Sequence, residues 1–233
     1  MLCSGRERDS GVGMRLQALR VGPASRDFAK DVAIVVIGVL LALWAGDVAD
    51  GLRWGHAVKL AEESLHREIA FDDAYFQDRL TVGPCIDRRI AQAAALVEDA
   101  ARDGSVGRVE ADFSGPGRRI ESSEWETERA SQTLTHFPRE RLARLGTYYA
   151  QLQGFQTWSY QEDSAWTGLA VLAGGTRRLG SMDVALLRRD IATARHLEWL
   201  AVLNARRQLD LSRSVGVNPG PSRTDYVRRL CTP

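Results

Sequence analysis

The sequence predicts an all-α protein in which an N-terminal transmembrane helix continues into an antiparallel helical bundle. Two observations favour this fold class. Residues 32–46 form an apolar run without a charge, and no other part of the 233-residue chain is comparably apolar. Beyond that run, apolar residues recur at spacings of three, four and seven, and no stretch shows the two-residue period of a strand. We therefore expect an N-terminal arm, a membrane anchor and one helical domain.

The apolar run is short for a membrane span, which needs about 20 residues to cross about 30 Å of hydrocarbon. Phe28 and Leu52 extend the apolar stretch, Lys30 can snorkel outward, and Trp44 and Trp54 suit an aromatic belt. One alternative is a buried core helix, for which the chain offers no equally apolar partner. Another is a cleaved signal peptide, but no Ala-x-Ala site follows. An uncleaved span over residues 25–54 fits best.

Orientation rests on a slight charge bias. Basic residues flank both sides of the span: Arg15, Arg20, Arg26 and Lys30 before it, Arg53, Lys59 and Arg67 after it. Residues 1–24 are a short, glycine-containing arm whose start is Met1 or Met14. We expect this arm in the cytoplasm and the domain in the periplasm, with the span in a bacterial inner membrane.

Composition narrows the partners. The chain is 44% hydrophobic and 26% charged, as globular proteins are, and its net charge is +1. This balance argues against nucleic acid, which requires a concentrated basic face. The expected partners are the lipid bilayer and an unidentified protein or small ligand.

The bundle domain is predicted over residues 55–216. An apolar seam continues the anchor helix over residues 25–80, until Gly83-Pro84 ends it. A second helix over residues 86–101 stops near Gly104, and residues 104–120 form a glycine-containing loop.

Three further elements complete the predicted bundle. Ser123 and Glu126 have the spacing of a capping box that opens a short helix to about His136. Pro138 opens a longer helix, which Gly174-Gly175 stops. Ser181 caps the last helix, which ends at Gly216, and residues 217–233 are predicted to be an irregular tail.

The cysteines indicate a disulfide. Cys3 lies in the arm, whereas Cys85 and Cys231 lie in the domain. In an oxidising compartment the latter two are a natural pair. The alternative is two unrelated buried thiols, but a cysteine near the C-terminus has little core to pack into.

No motif predicts an enzyme or a cofactor. Glu63 and His66 have the Glu-x-x-His spacing of di-metal bundles, but no second copy exists, so a solvated helix face is the better interpretation. Trp125, Glu162 and Trp166 place aromatics and an acid on two adjacent helices. They could form a ligand pocket, or Glu162 could be a buried carboxylate bonded to a Trp N–H or to an arginine such as Arg129.

Six short segments carry a family resemblance: residues 31–43, 65–68, 84–89, 125–131, 162–166 and 231–233. In their order, the chain resembles an uncharacterised family of bacterial single-span, membrane-anchored helical proteins. The resemblance implies one N-terminal span, an exported helical domain and no assigned activity. The favoured function is a binding or interaction module without catalysis. The alternative is a ligand sensor or enzyme with a pocket near Trp125, Glu162 and Trp166.

Overall fold

The computed structural model describes residues 23–117, 119–219 and 224–231, and it confirms the all-α class. The helices are α1 (Pro23–Asp103), α2 (Ser123–Ala130), α3 (Arg139–Leu169), α4 (Ser181–Ser214) and α5 (Thr224–Cys231). Short 3₁₀ turns cover Thr133–His136 and Ala170–Leu172. A two-residue antiparallel ladder pairs β1 (Ser105–Val106) with β2 (Arg177–Arg178).

The chain divides into two units, one ending at Leu52 and the other beginning at Arg53. In the first unit, residues 27–52 are helical and every one of them is exposed. Among the described residues, α1 is the one helix long and apolar enough to cross a membrane, and the apolar window that qualifies it has no buried residue. The second unit contains the bundle.

The predicted helix end at Gly83-Pro84 is wrong, because α1 runs through Pro84 to Asp103. A proline inside a helix removes one backbone hydrogen bond and normally kinks or ends the helix. Here Val82 and Ile86, on either side of the proline, are both fully buried and belong to one apolar cluster. Burial of the seam on both sides offsets the lost bond, so the residues predicted as two helices form one.

The bundle is built from α1, α3 and α4. Residues that pair between α1 and α3 increase in number in the same direction on both helices: Glu68 pairs with Tyr149, and Arg79 pairs with Glu162. These two helices therefore run in the same direction, with residues 104–138 connecting them. On α4 the order is reversed: Arg188 pairs with Glu98, and Glu198 with Arg79. Helix α4 is antiparallel to both.

Two apolar clusters fill the interior of the bundle. One contains Val82, Ile86 and Ile90 of α1 together with Trp166 and Leu169 of α3. The other cluster contains buried side chains from the earlier part of α1 and of α3 and from the later part of α4: Leu65, Ile69, Phe76, Leu145, Leu152, Phe155, Ala201, Ala205 and Leu209. Polar residues lie between and beside these clusters.

Three local predictions need correction, and one of them is the cap of α4: the N-cap is Gly180, and Ser181 is the first helical residue. Ser123 does not cap α2: it is the first helical residue, and Ser122 at the N-cap makes no side-chain bond to the helix. Glu68 of α1 instead accepts from the Ser123 hydroxyl (3.2 Å) and from the backbone N–H of Glu124 (2.8 Å). The predicted irregular tail contains α5, whose Leu230 is buried in the Val82 cluster. Contacts with residues distant in the sequence determine both the start of α2 and the formation of α5.

Candidate functional site

Glu162 belongs to a buried ion layer. Arg79 of α1 donates from one guanidinium nitrogen to both Glu162 of α3 and Glu198 of α4. The arginine side chain is fully buried, and each carboxylate is 3% exposed. Glu162 is therefore a buried carboxylate bonded to an arginine, as one sequence interpretation held, but the arginine is Arg79. Arg129 lies at the surface and pairs with Glu126 at 2.5 Å.

The ion layer contains two acidic side chains and one basic side chain. Arg79 supplies one cation, since a guanidinium stays ionised in proteins. Burial raises the pKa of Glu198 to about 7, with Glu162 and Asp87 as further negative groups nearby. The Oε1 atom of Glu198 has no hydrogen-bond partner among the described residues. Glu198 therefore exchanges a proton near neutral pH, and a proton on Glu198 reduces the excess of acidic groups in the layer.

The structure does not bring Trp125, Glu162 and Trp166 together in one pocket. Trp166 is buried in the Val82 cluster and touches Gly115, where an added Cβ would come within 3.1 Å of the Trp166 Cβ. Trp125 packs against the other cluster and stacks on Tyr149, with ring centroids 4.6 Å apart. The two tryptophans therefore support different halves of the core.

An open cleft lies beside α3, on the face of the helix that carries Gln156, Ser159, Tyr160 and Asp163. Its volume is about 780 Å³, and none of the three sequence-predicted residues lines it. One wall comes from Gly117 and residues 119–123 with Glu126 of α2. The other comes from polar residues of α3, namely Gln156, Ser159, Tyr160 and Asp163. Tyr160 is 79% exposed at the cleft. The cleft is a concave surface with the volume of a small-molecule site.

A second buried polar group escaped the sequence analysis. Asp72 and Asp73 of α1 are 1% and 0% exposed. The Oδ1 atom of Asp72 accepts from the backbone N–H of Glu121, a cleft residue, at 3.0 Å. A sequence signal existed, because both residues lie three or four positions after Ile69 and before Phe76, on the buried face of the helix.

The histidines do not form a metal site in the described part of the chain. No group of three or more His, Cys, Asp or Glu side chains there has a metal-binding arrangement. His66 lies 3.8 Å from Glu62, and Glu62 also pairs with Arg141. His136 stacks on Trp54 with centroids 3.8 Å apart. The Glu63-to-His66 spacing therefore lies on a helix face that makes surface ion pairs.

The cysteines pair as the sequence predicts. Cys85 and Cys231 lie at disulfide-bonding distance, with Cα atoms 5.1 Å apart. The pair fixes α5 against α1, where Arg89 also donates to the backbone carbonyl of Arg229 at 3.1 Å. Cys3 lies outside the described residues.

Comparisons with known proteins add little on function. No family model and no solved structure matches the chain. The chain is similar to the chaperone protein ClpB of Nitratidesulfovibrio vulgaris, with 29% identity over 160 residues. That match covers 68% of this chain but only 16% of ClpB. A partial similarity of this extent assigns neither a family nor an activity to the chain.

Proposed function

We propose that this chain is a single-span membrane protein whose helical domain is an exported binding module that acts without catalysis. One observation carries the membrane part. Residues 27–52 include thirteen large apolar side chains of types normally found in cores, such as Ile34, Leu40 and Leu43, and all of them are exposed in the described part of the chain. Burying one such side chain is worth about 1.5–3 kcal/mol. A bilayer covers all sides of a single helix, so it is the surroundings that best suit this segment.

Export is supported by the cysteine pair. Disulfides form and persist outside the reducing cytosol. The bond between Cys85 and Cys231 therefore favours a domain in an oxidising compartment, which in a bacterium is the periplasm. The resemblance to uncharacterised bacterial membrane-anchored proteins favours the same arrangement, with the arm in the cytoplasm and the span in the inner membrane.

Membrane insertion is tested by carbonate extraction of the full chain from membranes. We expect the protein to stay in the membrane pellet. Leu40→Arg should reduce insertion, because a central arginine costs about 2.5–3.5 kcal/mol on the translocon scale. Leu203→Arg is the matched control, since Leu203 is comparably exposed but lies in the bundle. Release of the wild-type chain by carbonate would contradict the anchor.

Topology is tested by thiol labelling of protein from intact cells after denaturation. The chain has 3 cysteines, so an oxidised domain leaves one reactive thiol without reductant and all of them with it. The Cys85→Ser variant should expose Cys231 to the label without reductant. Full labelling of the wild type without reductant would contradict the bond, and the proposal of an exported domain would then rest on the charge bias and the family resemblance alone.

The cleft supports a second candidate, a ligand sensor. Glu121, Glu126 and Asp163 contribute carboxylates to its lining, whereas Arg119 contributes one cation, and Glu126 already has Arg129 as a partner. Tyr160 adds an exposed aromatic ring. Excess negative charge beside an aromatic face suits a small organic cation, which the ring attracts through its quadrupole.

Calorimetry with arginine and spermidine as probes tests the cleft. Tyr160→Ala and Asp163→Asn should each weaken probe binding by about 2–5-fold, the effect of one exposed cation–π or ion contact. Asp210→Asn is the control, because Asp210 is an exposed acid of α4 outside the cleft. Binding that all three variants weaken equally, or no binding at all, would remove this candidate.

A further inference from the structure

The buried Asp72–Asp73 pair lacks the partners that a buried carboxylate needs. Apart from the bond that Asp72 accepts from Glu121, no hydrogen bond reaches either side chain in the described residues. Asp72 keeps one unpartnered oxygen and Asp73 keeps two. The Ser212 hydroxyl, which lies close to Asp73, donates instead to the Leu209 carbonyl at 2.9 Å. An ionised carboxylate in this position would have lost its hydration without replacement.

The neighbouring polar atoms share the same deficit. The Tyr148 hydroxyl and the Gln208 amide oxygen lie beside the pair and also have no partner in the described part of the chain. Five atoms of this cluster therefore have no partner. If the carboxyls are ionised, four of the five can only accept a hydrogen bond, namely the three Asp oxygens and the Gln208 oxygen. The fifth, the Tyr148 hydroxyl, can donate one hydrogen bond. The cluster is short of donors, and a proton on each carboxyl would add two.

The charges around the pair also disfavour two carboxylates. From α1, Glu68 faces Asp72, and from the segment before α2, Glu121 does so. From α3, Tyr148 faces both carboxyls. From α4, Arg213 is the cation that acts on Asp73, but it lies at the surface and bonds Asp210 at 2.6 Å. The groups that face Asp72 and Asp73 are therefore mostly acidic or neutral, and they disfavour a second negative charge on the pair.

We propose that Asp72 and Asp73 form a buried proton-binding site, in which each carboxyl holds a proton at about pH 6 and thereby ties α1 to residues 119–123 and to the last turns of α4. Electrostatics agree with the hydrogen-bond count. Burial raises the pKa of Asp72 to about 8 and that of Asp73 to about 7. The site makes the bundle responsive to pH, and Glu121, on the Asp72 side, belongs to the cleft wall.

The stability of the bundle should fall as pH rises, because the folded chain binds these protons more tightly than the unfolded chain does. An unfolded chain releases these protons near pH 4, whereas the folded chain retains them up to about pH 7–8. The contribution of the pair to stability is therefore fully present below about pH 4 and declines as pH rises to about 8. Between those values the folded state binds about two more protons than the unfolded state, so rising pH favours unfolding.

Infrared spectroscopy of the full chain in detergent tests the site directly. A protonated carboxyl group has a C=O stretching band that a carboxylate lacks, and isotope labelling of aspartate separates Asp from Glu198. We expect an isotope-sensitive band at about pH 6 that disappears by about pH 9. Absence of that band at about pH 6 would overturn the proposal, and this measurement needs no variant to fold.

Substitutions assign the band. Asp72→Asn and Asp73→Asn mimic the protonated forms, so each should remove part of the band and lower the proton linkage of unfolding by about one proton. Asp99→Asn, at an exposed position of α1 outside the cleft, is the control and should change neither quantity. A band that survives in the double Asn variant would place the protons elsewhere and overturn the assignment. A melting temperature whose pH slope is unchanged in that variant would do the same.

Discussion

The Arg79 layer and the Asp72–Asp73 pair bury carboxyl groups in one bundle under opposite conditions. In the layer, Glu162 and Glu198 share an arginine that is itself fully buried. The aspartate pair, six and seven residues earlier on α1, has no such cation among the described residues, because the nearby Arg213 bonds Asp210 at the surface. The comparison teaches that a buried acid is neutralised by a fixed cation where the fold supplies one and by a proton where it does not.

The two sites also differ in what they connect. The Arg79 layer joins α1, α3 and α4 and lies along each of these helices between residues of the two apolar clusters. The aspartate pair joins α1 to residue 121 and to the end of α4. Loss of the layer should therefore affect the whole bundle, whereas loss of the pair should affect its pH response.

Removal of the shared cation should have the largest effect. Arg79→Met leaves two buried carboxylates without a partner, and breaking a buried ion pair in this way costs about 3–5 kcal/mol. Because protonation relieves that penalty, the loss should be smaller at about pH 5 than at about pH 8. Chemical unfolding of the full chain in detergent at both values measures it.

The control is Arg102→Met, since Arg102 pairs with Asp99 at the surface of the same helix and should contribute less than about 1 kcal/mol. The triple variant Arg79→Met, Glu162→Gln and Glu198→Gln should recover part of the stability, as neutral replacements of buried ions often do. Equal losses for Arg79→Met and Arg102→Met would mean that the layer is not desolvated.

The two glutamates of the layer should differ. Glu162→Gln replaces a carboxyl group that is bonded to Arg79 by an amide and should cost about 1–3 kcal/mol at neutral pH. Glu198→Gln should cost less, because burial raises the pKa of Glu198 to about 7 and the wild-type group is already partly protonated there. Glu198→Gln should also flatten the decline of stability between about pH 5 and about pH 8. A larger loss for Glu198→Gln than for Glu162→Gln in thermal unfolding would reverse this assignment.

Two consecutive tyrosines provide the finest test. Tyr149 donates to Glu68 at 2.8 Å, so Tyr149→Phe should cost about 1 kcal/mol, with Glu68 keeping its bonds to Ser123 and Glu124. The Tyr148 hydroxyl has no described partner, so Tyr148→Phe should change stability by less than about 0.5 kcal/mol. Unfolding midpoints of both variants measure the difference, and a costlier Tyr148→Phe would show that its hydroxyl is bonded after all.

The fold was predictable where apolar spacing dominated. The seams of α1, α3 and α4 appear in the sequence because their buried residues recur every three or four positions. The helix end predicted at Pro84 was wrong because the rule that proline ends a helix considers only neighbouring residues. Burial of Val82 before the proline and of Ile86 after it keeps α1 continuous. The predicted cap of α2 was wrong for the same reason, since its capping group, Glu68, comes from another helix.

The candidate site was predictable in part. Glu162 stood out as an acid on an apolar seam, and it is buried. Its partner Arg79 did not stand out, because the two are 83 residues apart and sequence spacing reports only neighbours on one helix. The cleft could not be predicted, since it depends on how residues 119–123 pack beside α3. Asp72 and Asp73 could have been found by the reasoning that singled out Glu162.

The disulfide has a consequence for how the protein can be cut. Cys85 and Cys231, 146 positions apart, close most of the bundle into a covalent ring. A single protease cut between them leaves the two pieces joined, so the nicked domain stays attached to the helix that carries the apolar segment. The domain is therefore released in one of two ways. Either the disulfide is reduced after the first cut, or the chain is cut between residues 53 and 85. A nick in the ring would be visible only on a reducing gel, because both pieces stay attached to the apolar segment of α1.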